Sequence, residues 1–294
     1  MAWSLTLRGV TVGTVASGAT WLLKEAPALF GIDSPRVNDA NVPAGWGDLS
    51  YGSDLPAARN IEFVAWSNQT TETAALAALE TFQGAWGQTD ETLELTITGP
   101  ARTWIVYGRP RRSVPNLADS LSGIIEVACQ FRALDPRLYD AAATTTTVDL
   151  GTDTGGLEYP FAYPVGFGSM TPGTATLTNA GNAPTSLLVT ITPTTETITN
   201  PIIINQTTGE RVEFDGLTIA PGKHLDVDFG ARIVNIHDPY TAGGLVDAAS
   251  TIDRTVSTWW TGSGTLPVGA NVVTTTGSGN GATVTYTFRS AWQL

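Results

Sequence analysis

Apolar residues recur at every second position along much of the chain, and this regularity does most to limit what the chain can fold into. Leu93, Leu95 and Ile97 share one side of an extended segment, as do Leu225, Val227 and Phe229, and Val284, Tyr286 and Phe288. Successive side chains of a strand point to opposite faces, so each set marks a half-buried antiparallel strand. The residues in between, Asp226 with Asp228 and Thr285 with Thr287, face solvent or a neighbouring subunit. Only 14% of the residues are charged, and Thr, Gly and Val are abundant, which suits pleated strands and tight turns.

One segment breaks the period. From Thr71 to Trp86 the residues Ala75, Ala78, Leu79, Phe82 and Trp86 recur at spacings of three and four, which predicts a helix over 71–86. Thr70 or Thr71 serves as its N-cap, and Glu72 sits where the helix dipole favours an acid. Strands are expected near Thr20 to Lys24 and Ile61 to Trp66. Between them Pro35 to Ala58 is rich in Gly, Pro, Asn and Asp, and it exceeds the roughly 12 to 15 residues of an ordinary long connection. Its Trp46 and Tyr51 are read as contacts to a partner; the alternative is that both aromatics tuck back onto their own domain.

A composition shift marks the boundary between two domains. After Tyr139 the chain runs into Ala141-Ala142-Ala143, four threonines from Thr144 to Thr147, and a Gly-rich segment from Gly151 to Gly156. The reading is a first β domain over 1–142, a linker over 143–160 and a second domain over 161–294. The second contains short strands only, including a hairpin from Ile202 to Phe214 that turns through Thr207-Thr208-Gly209, which argues for a β-sandwich.

Charge excludes several partners. With 27 acidic against 15 basic residues the formal charge is -12, which repels nucleic acid and anionic membranes. Lys24 and Lys223 are the only lysines, so most positive charge is arginine, suited to bidentate pairs at interfaces; GC-rich codon usage produces the same bias. The lone Cys129 lies in an apolar strand and reads as a small core residue. The amino terminus lacks a signal-like pattern, and no stretch approaches the roughly 18 apolar residues needed to span a bilayer, so a soluble chain made in the cytoplasm is expected.

Catalytic patterns are missing. Neither Gly168-Ser169 nor Gly262-Ser263-Gly264 makes a nucleophile elbow, and Gly222-Lys223 is followed by His224 where a phosphate loop needs Ser or Thr. His224 and His237 lack the helical spacing of a zinc protease pair, and the neighbouring Asp238 points to the opposite strand face from His237. Asp226 and Asp228 share a strand face but read as solvent-facing. Asp149 to Asp153 lacks the spacing of a calcium loop. The expectation is no enzyme, no metal and no cofactor. Trp259 and Trp260 would place one indole outward in a strand, the basis of an alternative reading as a carbohydrate-binding module, to which Trp292 adds.

Several segments in order resemble one family. Gly31-Ile32-Asp33-Ser34-Pro35-Arg36-Val37, Ala58-Arg59-Asn60-Ile61-Glu62-Phe63, Gly108-Arg109-Pro110-Arg111-Arg112 and Phe131-Arg132-Ala133-Leu134-Asp135-Pro136-Arg137-Leu138-Tyr139 are similar to the first domain of the distal tail protein of actinobacteriophage-type siphophages. Asn179-Ala180-Gly181-Asn182-Ala183-Pro184 and Pro201 to Gly209 are similar to the start of its second domain. Asn60, where Thr is more usual, and the long Gly-rich segment from Gly262 to Gly281 depart from the pattern. The resemblance implies a β-barrel domain with one helix followed by a galectin-like jelly-roll sandwich. It further implies a six-fold ring in the virion tail tip, with the tail tube protein on one face and a tip or hub protein on the other. Arg36, Trp46, Tyr51 and Arg59 are the expected inter-subunit contacts. A tail-associated hydrolase lacks any motif.

Overall fold

A computed structural model describes residues 3–14, 20–25, 27, 39–41, 48–50, 57–150, 152–153, 170–171, 173–239, 245–262, 264–279 and 281–293. It divides into two compact units, 1–141 with 292–294, and 142–291.

The first unit starts with a hairpin, Ser4–Leu7 against Val10–Gly13, whose two-residue turn puts both Arg8 and Gly9 at positive φ, the turn type that matches strand twist. Trp21–Leu23 runs parallel to Val10–Gly13 and antiparallel to Arg59–Asn68. Arg59–Asn68 pairs along its whole length with Ile124–Ala133. The fourteen-residue strand Thr103–Asn116 then serves two partners. Its first half pairs with Leu93–Thr98, which returns to Ser4–Leu7, and its second half pairs with Ile124–Ala133. Among the described residues, seven strands therefore close into a barrel.

Closure depends on Gly108, which is in register with both Leu93 and Ala133. Two residues on, the register with Ile124–Ala133 slips between Pro110 and Arg112. Pro110 has no N–H to give a ladder, so an irregularity is tolerated there.

The helix forms at Glu72–Trp86, and the Thr71 side chain accepts from the Ala74 backbone N–H at 3.2 Å as its N-cap. It buries Ala75, Leu79, Phe82, Ala85 and Trp86. A lone fifteen-residue helix is marginal in water, so this face holds it. Phe82 packs on Trp21 with ring centroids 4.5 Å apart, and Trp86 packs edge-on to Phe63 at 4.9 Å. Each such buried side chain contributes about 1.5 to 3 kcal/mol.

Among the described residues, the second unit forms two main antiparallel sheets that share one core. One sheet orders Thr144–Asp149, Ala282–Phe288, Thr185–Pro193, His224–Asp228, Ile233–His237 and Leu245–Asp247; the other orders Gly173–Asn179, Gly269–Ser278, Ile198–Asn205 and Glu210–Glu213. Most of these strands alternate buried with less buried positions, as their period-two patterns require. The Tyr286 and Thr275 hydroxyls, one from each sheet, meet at 2.6 Å inside the core, a polar pair satisfied by its own partner. The expected hairpin turn is present, with Gly209 at φ 76°.

The linker expected over 143–160 differs at its start. Thr144–Asp149 pairs residue for residue with the strand Ala282–Phe288, because a run of β-branched threonines favours extended backbone and suits a sheet edge. At the other end Trp292 belongs to the first unit, where its indole N–H donates to Asp140 at 3.2 Å and Arg102 lies 3.9 Å above its ring.

Candidate assembly surface

The two motifs Gly108 to Arg112 and Phe131 to Tyr139 are well separated in sequence, yet they lie side by side. Gly108 pairs with Ala133, Arg109 with Arg132, Pro110 with Phe131 and Arg112 with Gln130. Strand alternation sends Phe131 and Ala133 into the core and leaves Arg132 exposed on the outer face, with Arg109 directly across from it. Like charges directly opposite on a ladder cost free energy. Among the described residues, no carboxylate makes an ion pair with Arg109, Arg111, Arg112 or Arg132. This is a strip of positive charge on a chain whose formal charge is -12.

Just beyond the strip the chain locks itself. Asp135 accepts from the Arg137 backbone N–H at 3.0 Å, from its guanidinium at 2.6 to 3.1 Å, and from the Tyr139 hydroxyl at 2.6 Å. Burial is the largest single influence on the Asp135 carboxyl and would raise its pKa, but the hydrogen bonds and the Arg137 charge together outweigh it and hold it below the usual range. Burial first, and the Asp135 charge second, push the Tyr139 phenol up. The lock fixes where the chain leaves the barrel wall, so the Arg132 backbone is anchored on its C-terminal side.

The far end of the same two strands carries apolar side chains in solvent. Val114 and Leu117 are about half exposed, and Leu121 in the turn is 82% exposed. The turn itself is held. The Asn116 side chain accepts from the Ala118 N–H, Gly123 adopts φ 78°, and the Gly123 carbonyl accepts from the Gln69 N–H at 2.9 Å. A held turn presents Leu117 and Leu121 at low conformational cost. A cleft of about 440 Å³ opens between the helix end at Gln83 to Gln88 and the strand from Arg111 to Val114.

Other expected site residues fare differently. Arg36, Trp46 and Tyr51 lie outside the described residues; within their loop 39–41, 48–50 and 57–58 are described, and Asp39–Asn41 pairs with Asp48–Ser50 as a short ribbon. Arg59 shares strand parity with Ile61 and Phe63 and so points inward, 5% exposed, opposite Ala133. Trp259 and Trp260 are not in a strand. They sit in one helical turn, Thr258–Thr261, with 0% and 7% exposure, and Trp259 packs on Phe229 at 4.4 Å. On a helix neighbouring side chains are about 100° apart, so both reach the core, and neither ring face is free to stack on a sugar. The arginine pair escaped sequence reading because it exists only through strand register.

Residues 180–292 match the family model described as siphovirus-type tail component, C-terminal domain. The fold also matches solved structures from end to end. SPP1 Dit, described as a paradigm of the hub adsorption apparatus in phages infecting Gram-positive hosts, superposes with TM-score 0.63 at 15% identity, over 97% of this chain and 98% of that one. A chain of the phage P2 baseplate in its activated conformation with Ca, and one with Sr, each superpose with TM-score 0.55 at 8% identity, over 98% of this chain and 97% of the other. At these identities the likeness is one of fold. A search of curated protein sequences finds no match. The resemblance to siphophage tail proteins is borne out by the family match over residues 180–292, and the mainly β architecture by the fold.

Proposed function

We propose that this chain is a non-enzymatic structural subunit of a siphophage tail tip or baseplate, that it works as a closed homo-oligomeric ring, and that the ring is a hexamer. The observation that carries this reading is the end-to-end fold match to SPP1 Dit combined with the siphovirus tail match of the second unit. The ring joins the tail tube protein on one face to a tip or hub protein on the other, and the protein resides in the virion. Head-to-tail closure requires two different patches on each subunit, one complementary to the other. The arginine strip with the Leu117 and Leu121 turn supplies one patch. An acidic face of the next copy supplies the other, for which a net-acidic chain has ample material. The galectin-like second unit contributes little to closure.

Light scattering of the purified chain over a range of concentrations near physiological salt tests the proposal. A mass close to six times 30.9 kDa, stable to dilution, is the expected result. A monomer at every concentration, including in the presence of the tube and hub proteins, would overturn the ring.

A further inference from the structure

The geometry points to a mononuclear transition-metal site on the second unit, built from His224, Asp226 and His237 and suited to Zn²⁺. This goes beyond the assembly role and does not depend on it.

The site arises from register. His224–Asp228 pairs with Ile233–His237 so that His224 stands directly opposite His237, and Asp226 is the next residue along the same face. The loop between them is pinned by Asp228, whose carboxylate accepts from the Gly230 and Ala231 N–H groups at 2.8 and 2.9 Å. Asp226 Oδ2 lies 3.1 Å from His237 Nε2 and 3.7 Å from His224 Nε2, and ligand atoms of all three fall within 4.8 Å of one another. Donors about 2.0 to 2.1 Å from a tetrahedral zinc ion stand about 3.3 to 3.4 Å apart, and the two measured separations bracket that value.

Donor chemistry narrows the cation. Two imidazoles and one carboxylate favour zinc and its borderline neighbours over Ca²⁺ or Mg²⁺, which take mostly oxygen ligands. The carboxylate is oriented by a third strand: Thr190, across the ladder from Asp226, donates its hydroxyl to Oδ1 at 2.6 Å and leaves Oδ2 to the imidazoles. Partners of this kind hold metal ligands in place. Asp238, next to His237, is instead held by Lys223 at 2.6 Å and stands outside the donor set. The rings are stacked 11° from parallel with centroids 4.3 Å apart, so binding one ion would turn both about χ2 and reset the Nε2 separations given above toward the tetrahedral value. That torsion is soft, and the histidine side chains are 38% and 41% exposed, which leaves room for the rotation and for water in the fourth position.

The test uses the full chain, stripped with chelator and titrated with ZnCl₂ by calorimetry and with CoCl₂ by visible absorption. One zinc per chain and a cobalt spectrum of nitrogen and oxygen coordination are expected, with CaCl₂ and MgCl₂ giving no comparable heat. His237→Ala and Asp226→Asn should each weaken zinc binding by at least about tenfold, because one of three donors is lost. Metal-free melting curves, unchanged in both variants, show that the fold persists. Absence of zinc binding would overturn the site, as would equal affinity in the His224→Ala/His237→Ala double variant or equal uptake of calcium.

Discussion

A β-carbon on Gly108 would lie 2.7 Å from the α-carbon of Ala133 and overlap the Arg132 carbonyl oxygen. Both atoms are backbone, so neither yields as a flexible side chain would. The barrel closes at the one position where Thr103–Asn116 passes from one partner to the other, and closure there requires the smallest residue.

Gly108→Ala is therefore expected to destabilise the first unit by about 1 to 3 kcal/mol or more, the range for overfilled sites. Gly84→Ala is the control. Gly84 lies in the helix with open space where its β-carbon would go, and alanine there should add about 0.5 to 1 kcal/mol. Urea unfolding followed by tryptophan fluorescence distinguishes the two, since the midpoints should move in opposite directions.

The Asp135 lock makes stability depend on pH. The folded carboxyl titrates below its unfolded value of 3.8, so its contribution is full above that pH and fades as pH falls through the folded pKa. Asp135→Asn should cost about 1.5 to 3 kcal/mol at pH 7, as for hydrogen bonds to a charged group in a partly buried site. The gap in melting temperature between wild type and variant should be constant from about pH 5 to 7 and narrow below about pH 4. Tyr139→Phe, which leaves the Arg137 pair in place, should cost less than Asp135→Asn.

Much of the fold was legible because strands and the helix each carry their own period. Leu225, Val227 and Phe229 alternate, and Ala75, Leu79, Phe82 and Trp86 fall on one helical face. The closing strand was less visible, since Pro110 and the arginines at 109, 111 and 112 interrupt its alternation just where it changes partners. Trp259 and Trp260 misled because a four-residue turn is too short to show any period. Register was the larger loss: Arg109 opposite Arg132, and His224 opposite His237, are relationships between strands, and no single strand's pattern contains them.

Cys129 should be silent in the folded protein. It is 3% exposed, and burial pushes its thiol up to about 12, so the reactive thiolate is scarce at pH 8. A thiol reagent added to native protein should label it only as fast as the first unit opens. In urea labelling should be immediate. Rapid labelling of the native state would mean that the wall formed by Arg59–Asn68 and Ile124–Ala133 opens locally.

If the proposed ring closes through the arginine strip, stability and assembly respond differently to its loss. If Arg109 and Arg132 served the isolated chain, removing either would lower its stability. They stand directly opposite each other with like charge, so Arg132→Ala should leave the melting temperature of unassembled chain unchanged or raise stability by a few tenths of a kcal/mol. The same substitution should shift the light-scattering mass toward monomer, because an interface that places a carboxylate between the two guanidiniums loses half of its clamp. Arg132→Glu should abolish the ring at concentrations where Arg132→Ala only weakens it, and high salt should mimic the milder variant. A ring that forms equally well in the Arg132→Glu variant would move the interface elsewhere on the barrel.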